Sequence, residues 1–124
     1  MKAINTDSAP AAVGPYSQAV IAGEFVFASG QIPLDPKTGE IVAGGIFPQA
    51  IQVLENLKSV IEAAGAQMSQ VVKVTIYITD MAQFSTVNDI YARYFAKPFP
   101  ARACVEVSGL PKGVEVEMDA VVHL

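Results

Sequence analysis

Two helical patterns set among strand-like runs predict an α+β fold: a two-layer sandwich, one mixed β-sheet with both helices on one face. Three observations carry this prediction. The runs come in the order strand, strand, helix, strand, helix, strand, strand. Each helical pattern has a single apolar stripe, and so a single side to bury. The chain has 124 residues, which suits one domain, residues 1–124, with a core of its own.

The first 15 residues hold Pro10 and Pro15 and read as extended chain or loop. Ala19-Val20-Ile21-Ala22 is a short apolar strand. Gly23-Glu24 forms a two-residue turn into a second strand from Phe25 to Gly30, which makes a hairpin. Asp35-Pro36-Lys37-Thr38-Gly39 is a turn. The first helix starts near Pro48 and stops at Gly65, residues suited to a first turn and to the position past an end. Its stripe is Ile51, Leu54, Leu57, Ile61 and Ala64. From Val71 to Ile78 the chain alternates as a strand. Asp80 is the N-cap candidate of the second helix, with Gln83 three residues on. That helix shows Phe84, Val87, Tyr91, Tyr94 and Phe95 on one side. Two strands follow. A sheet covered on one face only is expected to bury the other against another subunit.

Composition narrows the function. Hydrophobic residues are 52% and charged residues 16%, against about 25% charged in typical soluble domains; such a chain hides apolar surface in an oligomer. The net charge of −4, with no basic stripe, gives nucleic acid no attractive field. A lone cysteine makes no internal disulfide and suits a reducing compartment. The N-terminus lacks the apolar stretch of a signal peptide, and no run reaches the ~20 apolar residues of a membrane span. A soluble cytoplasmic protein is the expectation.

The most informative stretch is Pro100-Ala101-Arg102-Ala103-Cys104-Val105-Glu106-Val107. Alternation puts Arg102 and Cys104 on one face and Ala103, Val105 and Val107 on the other. After the turn Ser108–Gly113, the last strand sets Glu115, Glu117 and Asp119 against Val116, Met118, Ala120 and Val122. A symmetric hairpin of these strands opposes Arg102 to Asp119 and leaves Glu117 a diagonal neighbour, ~7–8 Å away. A two-residue slip would bring Arg102 and Glu117 opposite each other or part them further. The group is then either a solvated ion pair or an anion-binding reaction site. Cys104 by itself reads as a small buried hydrophobe. His123 is the one histidine and lies at the chain end, which disfavours Ser-His-Asp and Cys-His catalysis and a zinc site. No phosphate loop matches; Gly44-Gly45 lacks the spacing and the lysine.

Six stretches in order resemble the reactive intermediate deaminase (Rid) family, RidA subgroup, formerly the YjgF family. They are Gly14-Pro15-Tyr16-Ser17-Gln18-Ala19, Ser29-Gly30-Gln31-Ile32-Pro33, Val87-Asn88, Pro100–Val107, Leu110-Pro111-Lys112 and Val114-Glu115-Val116-Glu117. The resemblance runs from residue 3 to residue 123. It implies a chorismate-mutase-like fold and a homotrimer with ligand clefts between subunits. It implies hydrolysis of 2-iminobutanoate and 2-iminopropanoate, reactive products of pyridoxal-phosphate enzymes, to 2-keto acids and ammonia, with no cofactor or metal. Carried over by position, Arg102 binds the substrate carboxylate, Glu117 activates water and Tyr16 closes the pocket near the reacting nitrogen. Cys104 contributes mainly backbone groups, and Ser29 and Asn88 line the cleft. Without the resemblance Tyr16 is a turn residue, Ser29 a strand-end hydroxyl and Asn88 a polar position on a helix. Other functions compatible with the sequence are a regulatory trimer that binds small carboxylates without chemistry, an endoribonuclease or translation inhibitor, and a chaperone-like protein.

Overall fold

The computed structural model describes all 124 residues. The elements are β1 (Lys2–Ile4), β2 (Ala19–Ala22), β3 (Phe25–Gln31), α1 (Ile46–Ala63), β4 (Val71–Ile78), α2 (Phe84–Tyr91), β5 (Ala101–Glu106) and β6 (Val116–His123). The expected order of seven elements is present. One strand is added: β1, inside the stretch read as loop, pairs antiparallel with β2. Three residues are too few for an alternation to register in sequence.

The six strands form one mixed sheet in the order β1-β2-β3-β6-β4-β5, and β4–β5 is its only parallel pair. This corrects the predicted final hairpin. β5 and β6 are antiparallel in sense but not adjacent, because β4 lies between them. Val74 pairs with Arg102 on one side and with Ala120 on the other. Nine residues join β5 to β6, enough to pass over the end of β4, whereas a tight turn would have forced direct pairing.

Both helices cover one face. Val74, Ile76 and Ile78 of β4 and Val116, Met118, Ala120 and Val122 of β6 are buried beneath them with Leu54, Leu57, Val60, Ile61, Val87 and Ile90. α1 begins after Gly45, carries Pro48 in its first turn and ends at Ala63. Gly65, at φ 86°, lets its own amide and that of Ala66 donate back to Glu62 and Ile61, which closes the last carbonyls. Asp80 accepts from the Ala82 amide at 3.0 Å; it caps a 3₁₀ turn, Met81–Gln83, that leads into α2. α2 stops at Tyr91, short of the predicted Tyr94 and Phe95, though Phe95 still packs into the core.

The other face has no layer over it. Phe25 and Phe27 of β3, Tyr77 of β4, Val105 of β5 and Asp119 and Val121 of β6 lie on it, and Phe27 is 46% exposed.

Candidate functional site

The sheet divides the predicted site residues into two groups on opposite faces. Arg102 pairs with Val74, a helix-facing residue, and Glu117 pairs with Tyr77, which faces the open side. Strands two apart are also roughly 10 Å away from each other. Arg102 and Glu117 therefore do not meet within one chain. The Arg102–Asp119 ion pair is excluded by the same geometry: Asp119 accepts instead from the Tyr77 hydroxyl at 2.9 Å.

Arg102 lies on the edge strand β5 and reaches over α2. Its Nη1 donates to Asn88 Oδ1 at 2.6 Å. Its Cζ sits 4.9 Å from the centre of the Tyr91 ring and 5.3 Å from that of Phe84. No carboxylate lies within salt-bridge distance; the one such pair in the chain is His123 with Glu24. Arg102, Asn88, Tyr91, Phe99 and Pro100 line an open cavity of about 460 Å³. Cys104, two residues on, faces the same side, and burial pushes its thiol up while Arg102 pulls the other way.

Glu117 faces a second open cavity of about 590 Å³, shared with Tyr16, Ser29, Gly30, Ile32, Pro111 and Lys112. A β-bulge builds this wall: between Ala28 and Gln31 the β3 strand gains one residue against β6. Bulges of this kind re-aim side chains beside reaction sites. The extra length sets Gly30 under Glu117 so closely that a Cβ there would collide with the carboxyl group. Burial first, and the neighbouring Asp119 second, push the Glu117 carboxyl above its ordinary 4.5. Ser29 Oγ donates to the Ser17 carbonyl at 2.6 Å, so its hydroxyl proton secures the segment carrying Tyr16. Tyr16 itself is half exposed at the cavity mouth.

Four residues support the site in ways the sequence did not show, although Gln18 lies in a quoted motif and Phe84 and Tyr91 on the apolar side of the second helix. Gln18, 1% exposed, accepts from the Thr6 amide and donates to the carbonyls of Thr6 and Pro10, fixing the segment that walls the Glu117 cavity. Asn56 donates from α1 to the carbonyls of Ile32 and Leu34. Phe84 and Tyr91 flank Arg102. An amide next to an apolar strand or within a helix looks like any other polar residue until its carbonyl partners are known. Gly30 was signalled only as part of the Ser29-Gly30-Gln31 motif.

No cluster of three or more His, Cys, Asp or Glu has metal-site geometry, and no helix is long and apolar enough to cross a membrane. The family model described as endoribonuclease L-PSP matches residues 6–124. A RutC family protein of Pyrococcus horikoshii is 54% identical over 97% of this chain and 95% of its own length. The 2-iminobutanoate/2-iminopropanoate deaminase of Homo sapiens is 46% identical over 97% of this chain and 88% of its own. The crystal structure of Escherichia coli TdcF with bound serine superposes with a TM-score of 0.95 at 44% identity, covering 100% of this chain and 99% of that one. With the match running from the Tyr16 segment through Arg102 to Glu117, the chain belongs to the YjgF/RutC/Rid family.

Proposed function

We propose that this protein hydrolyses 2-imino acids, 2-iminobutanoate and 2-iminopropanoate among them, to 2-keto acids and ammonia, in clefts between the subunits of a homotrimer. The observation that carries the reading is the Arg102 guanidinium, free of any carboxylate partner and held at the lip of an open cavity. Such a fork is built for a planar carboxylate. The human relative's name and the serine bound to TdcF support a ligand with an amino-acid-like carboxylate.

With the two half-sites on opposite faces of one chain, a complete cleft takes one from each of two subunits. β5 is an edge strand, so the Arg102 group is open to a neighbour. A neighbouring subunit's Glu117 cavity placed against it would complete one cleft, and the open sheet face would be covered as well. In that cleft Arg102 holds the substrate carboxylate. Glu117 takes a proton from water as its oxygen adds to the imine carbon, then returns a proton to nitrogen. The tetrahedral aminoalcohol loses ammonia and leaves the ketone. A carboxyl raised above its ordinary value is better matched to this two-way transfer than a strong acid. Tyr16 closes the mouth near nitrogen, and Ser29 and Asn88 hold the two walls. The thiol of Cys104 takes no proton.

The test generates the imine with an amino acid oxidase and follows its capture by semicarbazide. Wild type protects the imine; Arg102→Ala, folded and assembled alike, loses roughly 10- to 100-fold or more. Normal protection by Arg102→Ala would overturn the assignment. The family model's description favours a second reading, RNA cleavage; salt-dependent RNA cleavage by the purified protein, retained in Arg102→Ala, would support it instead.

A further inference from the structure

Helix α2 presents three residues to Arg102. Phe84, Asn88 and Tyr91 are spaced i, i+4 and i+7, which stacks them on one stripe of the helix. Asn88 takes one N–H of Nη1. The rings of Phe84 and Tyr91 lie 5.3 and 4.9 Å from Cζ, within the ~6 Å reach of cation–π attraction. Tyr91 is 5% exposed, yet its buried hydroxyl has no partner in the chain. Hydrogen bonding within the chain therefore does not account for Tyr91; its ring does, packing on Phe95 at 4.5 Å between centroids on the core side and meeting Arg102 on the other.

We infer that Phe84 and Tyr91 are positioning residues: their rings fix the guanidinium of Arg102 so that its remaining N–H edge faces a ligand carboxylate. An arginine on an exposed edge strand otherwise samples many rotamers, and ordering it on binding weakens affinity. Asn88 restrains one nitrogen, and the two rings restrain the rest of the group. The inference rests on the reading of Arg102 as the carboxylate-binding group, and it commits the site to a preformed fork rather than one assembled by the ligand.

The test has a part that needs no turnover. The chain contains two arginines, Arg93 and Arg102, so the Nε–H signals in a ¹⁵N spectrum are assigned by Arg102→Lys. In wild type the Arg102 signal is displaced by ring currents. Phe84→Leu returns it toward the free-arginine position, and Phe84→Tyr keeps it displaced. Titration with 2-oxobutanoate, a stable carboxylate probe, weakens roughly three- to tenfold in Phe84→Leu and is restored in Phe84→Tyr. In the imine assay the same change appears in KM, with kcat altered less than about twofold. Tyr91→Phe, which keeps the ring, behaves as wild type, whereas Tyr91→Leu follows Phe84→Leu. An unmoved Arg102 signal, or a moved signal with unchanged probe affinity, overturns the inference. Absence of turnover in wild type would remove imine hydrolysis while the spectrum and the probe titration still decide the role of the rings.

Discussion

Gly30→Ala adds one methyl group at the point where β3 bulges beneath Glu117. That Cβ would lie 2.9 Å from Cδ and 3.3 Å from Cγ of Glu117, where ordinary contact begins at 3.4 Å. The carboxyl group must retreat by about 0.5 Å at Cδ and further at its oxygens. Gly30 is not among the glycines with positive φ, so alanine fits the backbone without strain. The expected change in stability is within about 1 kcal/mol. Misplacing a reacting group by ~1 Å costs up to about 100-fold, so kcat/KM for the proposed imine hydrolysis should fall roughly 10- to 100-fold. The semicarbazide competition gives that ratio, and thermal unfolding gives the stability. The double variant Gly30→Ala/Glu117→Gln should be no worse than Glu117→Gln alone, because both act on one group. Full activity in Gly30→Ala at an unchanged melting temperature would refute the placement of Glu117 at the reacting centre.

Three further outcomes are expected. The folded state disfavours ionised Glu117, whose carboxyl is raised above 4.5; its ionisation therefore weakens the fold as pH rises through the raised value. Glu117→Gln should match wild type in urea midpoint below about pH 4 and exceed it near neutrality, and a constant gap would contradict desolvation as the cause. Gln18→Ala removes the bonds to Thr6 and Pro10 and should cost about 2–4 kcal/mol, with faster hydrogen exchange at the Thr6 amide; retained protection there would show that the segment is held by other means. Cys104, with its thiol pushed up by burial, should react slowly with iodoacetamide at neutral pH, and Cys104→Ala should keep imine hydrolysis, whereas loss of turnover at normal stability would give the thiol a direct role.

Legibility in sequence followed the range of the interactions. Helix α1 was readable from end to end because Pro48, the apolar stripe and Gly65 all act within a few residues of the backbone they shape. α2 was readable at its start, through Asp80, but not at its end, where no glycine or proline marks the stop at Tyr91. The faces of β5 and β6 were also readable: Arg102 and Cys104 do share a side, as do Glu117 and Asp119. Their mutual placement was not. Gln18 and Asn56 were invisible as site supports, since their partners are carbonyls 8 to 24 residues away.

The sequence by itself determined where both helices and all but the shortest strand lie, though not where α2 ends, and which way the strand side chains alternate, because backbone sterics and side-chain periodicity are local. Only the tertiary structure decided that β4 enters between β5 and β6. That choice is made by pairing between strands distant in sequence, and alternation along a single strand carries no record of its neighbour. The same insertion puts the arginine and the glutamate on opposite faces and leaves each with an open cavity.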